Sequence, residues 1–406
     1  MAVSPAVAEN PPATAPTAWI WAAAWPIAAV FMLANAATPL YTVWQAELGF
    51  TDGTLTAVFV AYMLGMALSL LVSGIASDRL GRKKVLVPAL ILALVADAAF
   101  AFAHSVTALI VARILAGIAS GAVVSAGAAA VTDIAGPSRK RLGALVGAIG
   151  IAVGTGLGPL MGGVVSETLP GPTTGVFVIE AGLLATAMAV LIALPLRNQG
   201  GSTETKWVRV PRVPANARRS LLLAVAVVGP GLTTTSFVLS LEPSLLAEVL
   251  GTDNRIVGGA IAVIAFTAAT VAQLTLKQVR VRVLLLISAS STVACMGVVA
   301  AAVQAQTVVL FVLAAILAGT AYGPGMLGGL ALMNRDVPGA RLAEANAALN
   351  ISAYSVAGVL SLVVGFLSDA MGLSGAVAVF AALLMALAVM AGLSVQMHRA
   401  HPAMAD

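Results

Sequence analysis

Apolar positions in this chain fill long unbroken runs separated by short polar segments, so the period-two pattern of a half-buried strand is absent. About 20 apolar residues carry a helix across the hydrocarbon core of a bilayer. Such runs lie near 20–42, 54–76, 85–103, 106–132, 142–166 and 175–195, then near 219–242, 257–276, 283–302, 307–332, 342–367 and 373–396. They predict an all-α integral membrane protein of twelve transmembrane helices, with both termini on one side. The main interruption, 197–218, holds Gly200-Gly201-Ser202, Pro211, Pro214 and a cluster of bases, and reads as a linker. It separates a six-helix bundle over 19–196 from a second over 219–397; residues 1–18 read as a disordered tail and 398–406 as a short one.

Composition agrees: of 406 residues 60% are hydrophobic and 9% charged, against roughly 25% charged in soluble domains. The net charge of +5 suggests no nucleic acid, because the bases mark topology. Apart from Arg113 and Arg255, every Lys and Arg falls on alternate loops or the terminal segments beside them. The positive-inside rule makes that side cytoplasmic and places both termini there; a bacterial plasma or inner membrane is the expected location. Residues 1–18 contain Glu9 and no base, unlike a cleavable signal. Trp19, Trp21 and Trp25 at one end of span one, with Tyr41 and Trp44 at the other, suit interfacial anchors. Cys295 and three histidines, of which His398 and His401 lie in the tail and His104 at a turn, supply no metal or cofactor site.

The halves echo each other. Ile114-Leu-Ala-Gly117-Ile-Ala-Ser-Gly121 in span four matches Ile316-Leu-Ala-Gly319-Thr-Ala-Tyr-Gly323 in span ten, and Arg141-Leu142 before span five matches Arg341-Leu342 before span eleven. Nearly equal offsets point to duplication. Arg113 is the costliest residue, since a charge at the centre of a span costs about 2.5–3.5 kcal/mol on translocon scales. Asp97 and Arg113 sit eight residues either side of Ser105, hence at equal depth in an antiparallel hairpin. Asp97 therefore either pairs with Arg113 or stays dry and carries a proton. Glu180, about one turn inside span six, is a second proton-carrier candidate, although its long side chain would also reach the interface.

The ten residues Gly74-Ile-Ala-Ser-Asp78-Arg79-Leu-Gly81-Arg82-Lys83 place a carboxylate and a basic turn between spans two and three. In pattern and place they resemble the loop-two signature of the major facilitator superfamily. Two further segments resemble that family: Arg113-Ile-Leu-Ala-Gly117, its intramembrane arginine motif, and Gly154-x-x-x-Gly158-Pro159-x-x-Gly162-Gly163, its span-five antiporter motif. Small-x-x-x-small spacing also serves ordinary helix packing, and Pro159 removes a helix hydrogen bond where span five would bend.

The resemblance implies two pseudo-symmetric bundles that rock about a central cavity, and a functional monomer exchanging a small molecule against protons. Gly74 would ease a helix contact and Gly81 a tight reversal. Asp78 would latch onto the start of span eleven, favoured by that helix's dipole, when the cavity faces outward, with Arg82 paired to Asp133. The family places substrate near the midplane, which selects Asn35, Thr234, Thr235, Gln273, Tyr322, Asn350 and Tyr354 as polar candidates. Tyr322 and Tyr354 share a depth and would flank an aromatic substrate. The antiporter motif favours export, whereas the lack of an acid from Ile20 to Thr42 departs from many drug/proton antiporters. Alternatives are a sugar or amino-acid symporter or facilitator, and a non-transporting receptor or scaffold. No nucleophile–base pair suggests an enzyme.

Overall fold

The computed structural model describes residues 16–196, 213–250 and 254–397. Most of both expected tails and residues 197–212 of the expected linker lie outside the described residues. Twelve helices are long and apolar enough to cross a membrane. Spans one to six run Thr17–Leu48, Asp52–Leu80, Arg82–Ala101, Val106–Ala135, Pro137–Thr168 and Pro172–Ala193. Spans seven to twelve run Ala215–Ser240, Arg255–Thr275, Val281–Ala305, Val308–Asp336, Glu344–Met371 and Leu373–Met397.

Three helix ends and one internal segment depart most from the hydropathy reading. Span one continues past Thr42 because Pro39 sits in a one-turn 3-10 segment, Thr38–Leu40, from which the chain re-enters α-helix over Tyr41–Leu48. Tyr41 and Trp44 are therefore not interfacial anchors; each is 1% exposed. Trp44 stacks on Phe100 and Phe177 with ring centres 6.0 and 6.1 Å away, sealing spans one, three and six. Span four contains a π-helical segment, Val123–Gly127, that the sequence did not announce. Span six starts at Pro172, a residue suited to the first helical turn because its missing N–H costs nothing there. The seventh helix continues from Arg218 to Leu250.

Within the first half span two packs on four, span one on five and six, and span three on four and six. In the second half span ten packs on seven, eight and nine, span eleven on seven, and span twelve on nine. The sequence echo has matching structural roles. Gly117 and Gly121 lie against the backbone of Tyr62 and Met66 in span two, while Gly319 and Gly323 lie against Ala265 and Ala269 in span eight. Lipid is as apolar as leucine, so such close backbone contacts are what hold membrane helices together.

Among the described residues the main contacts between the halves join span five to eight and span two to eleven, with lesser ones from spans one and two to seven and from span one to eight. At the end poor in bases the two main pairs are tied by polar contacts. Arg255 Nε stands 3.0 Å from Glu167 Oε1, and the Gly53 N–H donates to both oxygens of Asp369 at 3.2 Å. Ser368 Oγ donates to Asp52 Oδ2 at 2.7 Å, and Gln45 Nε2 to Asp52 Oδ1 at 3.0 Å. At the base-rich end a crevice of about 1000 Å³ separates Leu71 of span two from Arg218 and Leu221 of span seven and Arg341, Ala348 and Ile351 near span eleven. The molecule is tied at one end and parted at the other.

Candidate functional site

The basic turn is built by a helix stop. Span two ends at Leu80 and Gly81 follows with φ 99°, a left-handed-side conformation that L side chains rarely adopt. Its N–H bonds the Ser77 carbonyl at 3.1 Å, and span three restarts at once with Arg82. That reversal puts Arg82 beside three acceptors: Asp78 Oδ1 at 2.6 Å, Ser77 Oγ at 2.8 Å and Asp133 Oδ2 at 2.9 Å. The planar guanidinium suits several acceptors at once. Asp78 is 53% and Asp133 42% exposed, and exposed pairs are worth only about 0–1 kcal/mol. Such a knot exchanges partners readily. Here Asp78 is held by Arg82 of its own bundle. Gly74 faces Ser125 Oγ in the π-helical segment of span four, and Arg79 is partly buried.

Arg113 is 2% exposed and turned toward span one, where its Nε donates to the Tyr41 hydroxyl and its Nη1 to the Ala34 carbonyl at 2.5 Å. Its Cζ lies 4.9 Å from the ring centre of Tyr41, 5.4 Å from Phe59 and 5.9 Å from Tyr62 and Phe100. An aromatic box of this kind stabilises a desolvated cation. The Nη2 group has no hydrogen-bond partner among the described residues.

Among the described residues no salt bridge joins Arg113 to Asp97, so the hairpin pairing does not form. Equal depth fixes height and not azimuth, and the guanidinium points at span one instead. Asp97 is 4% exposed with Oδ1 unpartnered. Glu180 does not reach the interface: it is fully buried and neither oxygen has a partner among the described residues. The start of span six at Pro172 puts it deeper than the hydropathy edge implied. The two carboxyls lie within Coulombic reach of each other between the packed spans three and six. Buried intramembrane carboxyls without partners are candidates for proton carriage.

The remaining candidates divide. Thr235 is 3% exposed and donates to the carbonyls of Gly231 and Ala318, a tie between spans seven and ten rather than an open contact. Thr234 bonds Pro230 in its own helix. Asn35 and Asn350 are partly buried and donate to Phe31 and Asn346 one turn back, each at 2.8 Å. Tyr322 and Tyr354 lie near each other, and Tyr62 of span two lies near both from the opposite bundle. Tyr62 is the residue the sequence reading missed; its only signal was a polar-tipped aromatic one turn before the glycine contact of span two with span four. In span five Gly154, Gly158 and Gly162 let the backbone of span one approach at Ala28, Met32 and Ala36, while Gly163 meets Arg255 of span eight. Pro159 presents its carbonyl to Gly259 of span eight.

A family model described as Major Facilitator Superfamily matches residues 20–361. The chain belongs to the major facilitator superfamily. Its relatives include the MFS-type transporter ppzB of Metarhizium rileyi, 35% identical over 138 residues, or 33% of this chain and 28% of that protein. The quinolone resistance protein NorA of Staphylococcus aureus is 26% identical over 169 residues, 40% of this chain and 42% of NorA. The matched stretches thus span less than half the length of these relatives. Among solved structures, a bacterial homologue of the human lysosomal transporter Spinster, inward-facing and unoccupied, superposes with a TM-score of 0.72 at 14% identity, covering 97% of this chain and 100% of that one. The D-xylose-proton symporter gives 0.70 at 15% identity, covering 92% and 96%. At these identities the likeness concerns the fold. As a member of the superfamily, the chain has the family's multi-pass membrane fold of two six-helix bundles.

Proposed function

We propose that this transporter exports a small organic molecule in exchange for protons by alternating access, with its base-rich end and both termini in the cytoplasm. The observation that carries the reading is the seat of the Gly154 to Gly163 motif. It lies on the seam where span five meets spans one and eight, so it bears on the contact that must part for the base-poor end to open. The partial likeness to a quinolone resistance protein supports export. Asp97 and Glu180, buried without partners, supply the proton carriers. The Tyr62, Tyr322 and Tyr354 group marks the substrate region between the bundles, and Arg113 holds span four to span one beside it.

The lack of an acid from Ile20 to Thr42, the membrane-central part of span one, favours a second reading, a proton-coupled symporter. Sign separates the two. Everted vesicles energised to an acidic interior are offered cationic drugs, sugars and amino acids in turn while the pH gradient is followed. Antiport predicts proton release on addition of a transported compound, abolished by Glu180→Gln. A compound that moves without proton release overturns the coupling, and one that builds the gradient establishes symport.

A further inference from the structure

The tie at the base-poor end repeats one short signature. Gly163-Val-Val-Ser166-Glu167 closes span five and Gly365-Phe-Leu-Ser368-Asp369 closes span eleven, at the same offset that relates Ile114 to Ile316. A glycine, a serine and an acid recur at the same spacing in Gly74-Ile-Ala-Ser77-Asp78, which closes span two. Each of the first two sets faces the start of a helix in the other bundle. Glu167 Oε1 accepts the Arg255 N–H at 3.0 Å in the first turn of span eight, and Asp369 accepts the Gly53 N–H in the first turn of span two. The glycines make room: a Cβ at Gly163 would strike the Arg255 carbonyl, and one at Gly365 would strike Thr56 and the Asp52 carbonyl. Gly74, by contrast, meets only Ser125 of its own bundle.

Helix starts expose unpaired N–H groups and the positive end of the dipole, so an acid arriving from the facing bundle satisfies both. Arg255, the one base set apart on the far loops, now has its reason: it adds a salt bridge to that contact. The position after the terminal glycine also differs. Arg82 follows Gly81 and holds Asp78 in its own bundle, whereas Leu373 follows Gly372, leaving Asp369 for span two. Gly372, at φ 81°, stops its helix as Gly81 does, with its N–H on the Ser368 carbonyl at 2.9 Å.

We propose that Glu167 and Asp369 form a paired clasp, related by the internal duplication, that holds the base-poor end shut, the counterpart of the Asp78 latch that the family resemblance implies for the opposite end. These acids are positioning residues of the transport cycle, and their role rests on alternating access as proposed above. The closed state seen here is held by two clasps, while its alternative has one whose acid must first leave Arg82.

The test uses the full-length chain in proteoliposomes of defined orientation, with Cys295→Ala and a reporter, Met63→Cys, buried where span two faces span eleven. A charged, membrane-impermeant methanethiosulfonate is added from the base-poor side. Asp369→Asn and Glu167→Gln should each raise the labelling rate about threefold, and together about tenfold, while Asp78→Asn lowers it about threefold. Arg255→Ala should raise it less than Glu167→Gln, because Glu167 keeps the span-eight N–H, and the double variant should not exceed Glu167→Gln. A purely structural role would move all three acids in one direction. Unchanged labelling in Asp369→Asn and Glu167→Gln, or a shift of the same sign for Asp78→Asn, overturns the clasp. If the reporter is never labelled from that side in any protein, the parent included, alternating access falls with it.

Discussion

At the base-rich end Asp78 faces Arg82, five residues from Ser77 and within the same bundle, while at the base-poor end Asp369 and Glu167 reach across the seam to the first turns of spans two and eight. Similar acids at similar helix ends thus do opposite things in one structure. The difference lies in what surrounds them. A guanidinium beside Asp78 offers a local partner, and the π-helical segment of span four occupies the space at Gly74. Beside Asp369 there is a leucine, and the glycine one turn earlier admits span two. A carboxylate on a movable seam binds whichever positive group its neighbours leave it.

That contrast can be broken from the middle outward. Arg113→Ala should have the largest effect, cutting the initial transport rate about 100-fold or more, since it removes the buried cation that anchors Tyr41 and the aromatic box. Labelling of Met63→Cys should keep the parent's sidedness, because neither end is touched; normal flux would remove Arg113 from the cavity. Next, Gly365→Leu inserts a side chain where even a Cβ strikes Thr56. Overpacking of that order costs about 1–3 kcal/mol, so turnover in proteoliposomes should fall about tenfold with the base-poor end held ajar. The smallest effect belongs to Asp78→Asn, which should slow turnover about threefold with KM for the same substrate unchanged, an exposed and exchangeable pair being weak. Wild-type turnover in that variant would discard Asp78 as a latch.

Much of this architecture was legible in the sequence because lipid permits few solutions: an apolar run must be a helix, and its flanking bases report the side. The basic turn was legible for a similar reason, since a charged reversal between two spans has little freedom. Rotation about a helix axis was not legible. Asp97 and Arg113 share a depth yet do not meet, and Tyr41 and Trp44 turn inward where their position suggested an interface. Glu180 was misplaced in depth because hydropathy set the edge of span six after Pro172, although Gly171-Pro172 marks a helix start. The repeated glycine, serine and acid at Gly163 and Gly365 stood in plain text. Its meaning depends on the facing helix starts, which no single segment contains.

The most direct measurement places spin labels on both ends of the Cys295→Ala protein and reads distances by double electron–electron resonance. One pair, Lys84→Cys with Asn334→Cys, spans the base-rich end, and the other, Thr168→Cys with Met371→Cys, spans the base-poor end, all at exposed sites. Alternating closure predicts two populations for each pair. Asp369→Asn should enlarge the long-distance population at the base-poor end and shrink the long-distance population at the other. A single fixed distance at either end, or both ends widening together, would contradict it.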